Sequence, residues 1–123
     1  MFLECFGVRY RVLRQQTDGT WLICYDKAAA PFFVSTAVLE KYRRIQTPEE
    51  ALKGTASTKT ASEERRLLLI QPLISDEDCM TDRAKRRSLA KQQAQEYNTT
   101  SRRVLRIYYR WLASGSVSAP PKQ

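Results

Sequence analysis

Arginine is the residue type with which this sequence is best equipped to do chemistry, whereas histidine is missing from it altogether. Without histidine the chain has no His general base, no Ser-His-Asp triad and no His metal ligand. The 123 residues include 21 Lys and Arg against 13 Asp and Glu, which gives a formal charge of +8. A surplus of this sign points to a polyanionic partner rather than to catalysis.

The surplus is concentrated between residues 83 and 110. This segment holds nine basic residues against the single acid Glu96, so its net charge of +8 equals that of the whole chain. The basic residues are Arg83, Lys85, Arg86, Arg87, Lys91, Arg102, Arg103, Arg106 and Arg110. Any polyanion-binding surface is therefore expected on the elements built from this segment.

The predicted helix from Ser101 to Ala113 separates its charge from its apolar residues. One broad face carries Val104, Leu105, Ile107, Tyr108, Trp111 and Leu112. The opposite arc carries Arg102, Arg103, Arg106 and Arg110, with Tyr109 at its edge. Like charges three or four residues apart oppose helix formation, so such a stripe is expected where a polyanion neutralises it. Tyr108 and Trp111 are predicted to be core residues.

The preceding predicted helix, from about Asp82 to Tyr97, uses its charge differently. Its basic residues are scattered around the helix and several flank the apolar stripe, so a solvated face remains an equal alternative there. The acids just before it, Asp76, Glu77, Asp78 and Asp82, are interpreted as helix caps and solubilising groups rather than as metal ligands. We expect no metal, no cofactor and no catalytic residue in this chain.

Two helices joined by the polar turn Asn98-Thr99-Thr100 are typical of the helix-turn-helix layout, in which the last helix enters the major groove of DNA. Arg102 and Arg103 are the candidates for reading bases, because a guanidinium matches the two acceptors of guanine. Thr100 or Ser101 would cap the helix and contact a phosphate. The full set of predicted DNA-binding residues is Arg83, Arg86, Arg87, Thr100, Ser101, Arg102, Arg103, Arg106, Tyr109 and Arg110.

Strand signals dominate the first part of the chain, and the predicted fold class is α+β. Val8, Tyr10 and Val12 alternate with arginines, and a hairpin around Asp18-Gly19 leads to a second strand from Trp21 to Tyr25. A third strand is predicted at Phe32-Phe33-Val34, then a helix capped by Ser35 or Thr36 that carries Val38, Leu39 and Tyr42, and a further helix start at Thr47-Pro48-Glu49-Glu50. We expect residues 1–53 to form a small antiparallel, partly closed, barrel-like unit.

Three helices are predicted beyond a linker at residues 54–60, and together they form a helix-turn-helix domain over residues 61–115. Thr60 and Glu63 form a capping box for the first, whose core candidates are Leu67, Leu68, Ile70, Leu73 and Ile74. Pro72 is expected to kink this helix or to end it one turn early. The second helix has Leu89, Ala90, Ala94 and Tyr97 as core candidates. Residues 116–123, with Pro120-Pro121, are predicted to be a flexible tail.

Other classes of protein are disfavoured. The 42% hydrophobic and 28% charged residues are ordinary globular composition, and no apolar run approaches the roughly 18–20 residues that span a membrane. An acid at Glu4 stands where a signal peptide needs basic residues, so we expect a cytoplasmic protein. Cys5, Cys24 and Cys79 are odd in number and far apart, which predicts reduced thiols, two of them on strands.

The order of these pieces resembles the N-terminal DNA-binding region of TnsB-like transposases, which are Mu-type DDE transposases. The resemblance is carried by residues 8–13, the Asp-Gly turn, Trp21-Leu22-Ile23, the segment Leu67 to Ile74 with its proline, and the segment Thr99 to Leu112. It covers nearly the whole chain in order and with similar spacing.

This resemblance implies a module that binds double-stranded DNA at the repeats in transposon ends during cut-and-paste transposition. In the family a separate RNase-H-like core with three carboxylates and Mg²⁺ cleaves and transfers strands, and that core is absent from these residues. The chain is therefore expected to bind DNA in the bacterial, nucleoid-associated cytoplasm and not to be an enzyme itself. Contacts with other transposition proteins would be made through the full-length parent.

Two alternatives remain open at this stage. One is a free-standing helix-turn-helix regulator, and the other is an adaptor that binds a protein through its β-rich unit while the basic helices aid solubility. Arg9, Arg11 and Arg14 of that unit are either phosphate contacts or simply edge-blocking residues.

Overall fold

A computed structural model describes residues 1–48 and 61–114 of the chain. It contains a five-stranded antiparallel sheet followed by helices, which confirms the α+β prediction. The strands are β1 (Phe2–Cys5), β2 (Val8–Gln15), β3 (Gly19–Cys24), β4 (Phe32–Ser35) and β5 (Arg43–Ile45). The helices are α1 (Thr36–Leu39), α2 (Ala61–Ser75), α3 (Arg83–Glu96) and α4 (Ser101–Ser114), with a 3₁₀ turn at Glu77–Met80 between α2 and α3.

The strands lie in the order β4-β3-β2-β1-β5, and each described pairing is antiparallel. The predicted hairpin at Asp18-Gly19 and the third strand at Phe32 are confirmed. The order runs from one edge at β4 to another at β5, so the described sheet is open rather than barrel-like. No residue range was predicted for strands β1 and β5, because each is short and β5 begins with two arginines.

Strand β3 is buried on both faces and joins the sheet to the helices. Leu22 is fully buried on one face, in a cluster with Leu3 and Val34. Ile23 is fully buried on the other face, within the cluster built by the three long helices. Fully burying such a side chain contributes roughly 1.5–3 kcal/mol, so the contact couples sheet and helices. The expectation of separate units at 1–53 and 61–115 remains a prediction, with Ile23 packed across the division.

The helical core follows the predicted pattern with two exceptions. Ile70, Leu73, Ala90, Val104 and Tyr108 are buried together. Two predicted core residues are instead exposed, Leu68 at 57% and Tyr97 at 47%, and both predictions were wrong. Leu68 lies on the outer side of α2, and Tyr97 is the C-cap of α3, where the chain turns away from the core.

Helix α2 continues through Pro72 to Ser75, so the prediction that it ends one turn early was wrong. A proline has no N–H to donate to the carbonyl four residues earlier, which here belongs to Leu68. The buried side chain of Gln93 on α3 supplies the missing donor: its Nε2 lies 3.4 Å from Leu68 O and 2.9 Å from Leu69 O. The Leu68 carbonyl, to which the proline cannot donate, therefore still has a donor.

The short helix α1 begins as predicted, because the Ser35 hydroxyl accepts a hydrogen bond from the Val38 N–H at 3.4 Å. It ends at Leu39, so Tyr42 lies beyond it. The three cysteines are free, with Cys5 on β1 and Cys24 on β3, as predicted. The predicted helix start at Glu49-Glu50, the linker at 54–60 and the tail at 116–123 lie outside the described residues.

Candidate nucleic-acid interface

The turn between α3 and α4 is fixed by its own backbone. Asn98 has a left-handed φ of 54°, which places the Thr99 N–H 2.8 Å from Ala94 O and the Asn98 N–H 3.4 Å from Gln95 O. This arrangement is a Schellman motif, in which the residues after a helix satisfy its last carbonyls. Thr100 then accepts a hydrogen bond on Oγ1 from the Arg103 N–H at 3.2 Å, so Thr100 rather than Ser101 caps α4.

The two faces of α4 are those predicted from the sequence. Val104, Tyr108 and Leu112 are buried, and burial raises the pKa of the Tyr108 phenol. Trp111 is partly buried against the same core. On the opposite face Arg102, Arg103 and Arg106 are exposed, while Arg110 is half-buried. The helix therefore presents its cations at the N-terminal end and its apolar side chains to the core.

The acids that precede α3 act as caps and ion-pair partners. Asp82 caps α3 by accepting from the Lys85 N–H at 3.1 Å, and Asp76 accepts from the Asp78 N–H at 3.0 Å. Lys85 Nζ lies 2.7 Å from Asp76 Oδ2, which lowers the pKa of Asp76 and raises that of Lys85. In residues 1–48 and 61–114, no group of three or more His, Cys, Asp or Glu residues could hold a metal ion.

Arg86 has a structural position rather than a surface position. It is only 4% exposed, and its Nη1 donates to Cys79 O at 3.2 Å and to Met80 O at 3.3 Å. Its guanidinium carbon lies 5.5 Å from the centre of the Tyr109 ring. The side chain thus joins the 3₁₀ turn to α4, and we leave Arg86 out of the candidate interface.

A second basic stripe lies on α3. Arg83, Arg87 and Lys91 are four residues apart in succession, so they share one side of the helix, and all three are exposed. Lys91 was not among the predicted site residues. The spacing of four residues was the signal that could have identified it.

These stripes meet at a cleft of about 610 Å³ between α3, α4 and the loop that joins β3 to β4. We call this space the basic cleft. It is lined by Ala28, Ala29, Ala30, Arg87, Lys91, Ser101, Arg102, Leu105, Arg106 and Tyr109. An adjoining hollow of about 540 Å³ shares Ala30, Arg87, Leu105 and Tyr109 with it and extends to Trp21 and Arg83.

Three of the five arginines on the described strands bond to other residues of the chain. Arg9 Nη2 lies 2.6 Å from Asp26 Oδ1, and its guanidinium lies 4.9 Å from the Tyr25 ring centre. Arg11 Nη1 donates to the carbonyl of Leu112 near the end of α4, at 2.8 Å. Arg43 pairs with Glu4 at 2.8 Å. Three of the sheet's cations thus serve the structure.

The structure brings most of the predicted site residues to one region. Thr100 caps α4, Ser101, Arg102, Arg103 and Arg106 occupy its first turns, and Tyr109 lines the basic cleft. Arg83 and Arg87 approach from α3, and Arg110 lies further along α4, half-buried. The alanines of the β3–β4 loop complete the cleft, and no sequence signal marked them.

Comparisons with known proteins do not assign this chain to a family. No protein-family model matches the chain, and no curated protein matches it at a significant level. None of the helices in the described part of the chain is long and apolar enough to cross a membrane.

Proposed function

We propose that this protein binds double-stranded DNA sequence-specifically, with α3, the polar turn and α4 acting as a helix-turn-helix. The observation that carries the proposal is the exposure of Arg102, Arg103 and Arg106 on one side of α4, at the end fixed by the turn and the Thr100 cap. None of the three has an ion-pair partner among the described residues.

Each side chain has a distinct role in this proposal. Arg102 and Arg103 at the start of α4 reach base edges in the major groove, where arginine makes paired hydrogen bonds to guanine. Thr100 and Ser101 contact a backbone phosphate beside the helix N-terminus, which favours negative charge. Arg106, Arg110 and Tyr109 hold backbone or adjacent bases, while Arg83 and Arg87 approach the backbone from α3.

The biological setting we propose is the recognition of transposon-end repeats by the N-terminal module of a TnsB-like transposase. The support is the ordered resemblance in sequence together with an α+β architecture that ends in three long helices. Strand cleavage and transfer would belong to a separate catalytic domain, so this module binds DNA without cutting it. Other transposition proteins would assemble through the full-length parent in the bacterial cytoplasm, at the nucleoid.

The test is a selection of bound sequences from a random duplex pool, followed by affinity measurements on selected and scrambled duplexes. Specific binding is expected to exceed binding to scrambled DNA by at least about 10³-fold at physiological salt. Both affinities should fall by orders of magnitude between about 50 and 200 mM salt. Equal affinity for both duplexes at every salt would refute sequence-specific recognition, and no measurable binding would favour the protein-binding adaptor.

Arg102→Ala tests the base-reading role directly. The variant should lose about 1–3 kcal/mol on the selected duplex and relax the base preference at one position. The control is Arg44→Ala on β5, an exposed arginine at the edge of the sheet opposite β4. A uniform loss on all duplexes would instead make Arg102 a phosphate contact.

A transposase module and a small regulator share this DNA chemistry, and the selected sequence separates them. Transposase binding predicts that the selected site recurs as several copies within each end of one mobile element. A selected site found once, upstream of a single gene, would favour the regulator.

A further inference from the structure

We infer that one sugar–phosphate strand of the bound duplex lies in the basic cleft, so that the loop between β3 and β4 contacts DNA together with the helices. This inference rests on the proposed function and extends it, because it assigns part of the sheet unit to the DNA-binding surface. The predicted site contained only residues of the two helices and of the turn between them.

The charge of the basic cleft selects an anionic occupant. Arg87 and Lys91 from α3 face the same space as Arg102 and Arg106 from α4. Among the residues that the structure describes, no acidic side chain lines this cleft or the hollow beside it. Four cations around one space repel one another unless an anion separates them, and a phosphodiester strand supplies a charge at each successive nucleotide.

The buried Arg86 adds to the positive electrostatic potential of the basic cleft. Its guanidinium stacks on Tyr109, which forms part of the cleft lining, and its Nε has no hydrogen-bond partner among the described residues. An arginine does not lose its charge in a protein, so this cation remains behind the cleft wall. It strengthens attraction for an anion without itself contacting DNA.

The opposite wall consists of small side chains. Ala28, Ala29 and Ala30 are all exposed, and because their side chains are single methyl groups they take up little of the space between the loop and the helices. Leu105 and Tyr109 provide an apolar and an aromatic surface that suits a sugar ring. The cleft has a volume of about 610 Å³ and is open to solvent on one side, so a short stretch of backbone has enough room.

The surface also fits the geometry of helix-turn-helix binding. A helix that lies in the major groove is flanked on both sides by phosphate backbones. The basic cleft runs beside α4 on the side facing α3 and the β3–β4 loop, which is a position such a backbone would occupy. Arg87 and Lys91 on α3 and Arg106 on α4 then face the same strand, while Arg102 at the start of α4 reaches the bases beside it.

The experiment changes the charge of the alanine wall and measures affinity for one duplex with the full chain. Ala29→Glu should weaken binding about fivefold and reduce the salt slope, whereas Ala29→Lys should tighten binding by a similar factor and steepen the slope by about one. The matched controls are Ala37→Glu and Ala37→Lys on α1, whose Leu39 packs in the cluster on the other face of the sheet. The controls report the effect of net charge alone.

The inference is overturned if the Ala29 variants match the corresponding Ala37 variants while the wild-type protein binds the duplex with the expected salt dependence. Failure of the wild type to bind any duplex would overturn the proposed function itself, which separates the two outcomes. Because Ala29→Lys is expected to gain affinity, damage to the fold cannot imitate the predicted result. If the Ala29→Glu variant does not fold, the comparison of duplex affinity between Ala29→Lys and Ala37→Lys decides the test.

Discussion

The sheet and the helices use the same residue type in opposite ways. Arg9, Arg11 and Arg43 of the sheet each bond to a partner in the chain, namely Asp26, the Leu112 carbonyl and Glu4, the last pair at the surface. On α4, Arg102 and Arg106 extend into solvent and line the basic cleft. A count of arginines therefore overstates the binding surface, because a cation that already holds an acid or a carbonyl contributes little to a polyanion.

Arg86 is an exception to this division, since it lies on a helix of the proposed interface but bonds within the fold. Its neighbours Arg83 and Arg87 differ from it only in their position around α3. One side of the helix meets the 3₁₀ turn and Tyr109, while the other is open. The surroundings of an arginine, rather than the element that carries it, thus decide whether it stabilises the fold or stays exposed. Four substitutions test this conclusion.

The largest effect is expected from Arg86→Met. This change leaves the Cys79 and Met80 carbonyls without their buried donor, so unfolding free energy should fall by about 2–4 kcal/mol in urea denaturation. The control Arg83→Met on the exposed side of α3 should change stability by less than about 0.5 kcal/mol. Equal stability of the two variants would show that position on α3 does not divide the arginines.

Arg11→Ala should have the next largest effect. Loss of the bond to the Leu112 carbonyl is expected to cost about 1–2 kcal/mol of unfolding free energy. The salt slope of duplex binding should stay unchanged, because the side chain is turned toward α4 and not toward a phosphate. A salt slope reduced by about one would show instead that Arg11 contacts a phosphate.

Arg87→Ala should affect binding and leave stability alone. We expect a loss of about fivefold on selected and scrambled duplexes alike, with a salt slope lower by about one. Arg9→Ala is the comparison from the sheet, and it should leave the slope as in the wild type. Opposite results for these two variants would reverse the assignment of the two regions.

The smallest effect concerns Asp26, whose hydrogen bonds from Arg9 hold its pKa below the ordinary value of 3.8. A pKa that is lower in the folded than in the unfolded protein stabilises the fold at pH values above the ordinary pKa. This stabilisation is lost as the pH falls through the pKa of the folded state. Asp26→Asn should therefore cost up to about 1 kcal/mol at pH 7 and nothing in strong acid, since the pair is partly exposed. Equal losses at pH 7 and in acid, measured by thermal unfolding, would exclude an electrostatic origin.

Local signals explain why part of the structure was predictable from the sequence. The separation of arginines from apolar residues on α4 depends on helical periodicity, and the Asp-Gly hairpin depends on turn chemistry. Gly19 is needed there because a Cβ atom would collide with the Val34 carbonyl and the Phe33 ring. Each of these features depends on residues that lie within about fifteen positions of one another along the chain.

Features that depend on tertiary contacts were not predictable. Pro72 lies inside α2, where Gln93, far along the chain, donates to the carbonyl that the proline leaves without a partner, and no local pattern indicates this. Strand β5 forms because β1 offers an edge for Arg43 to Ile45, against the low strand propensity of a charged segment. The burial of Arg86 and the alanine wall of the basic cleft likewise arise only when distant segments pack together.

The bond from Arg11 to the Leu112 carbonyl has a consequence for shape recognition. It holds the C-terminal part of α4 to β2, while the Schellman turn and the Thr100 cap hold its N-terminal part. These bonds favour one orientation of α4 relative to the sheet, so under the proposed function we expect part of the fit to come from the duplex. Flexible base steps, such as TA and CA, would then be favoured at positions that no side chain touches.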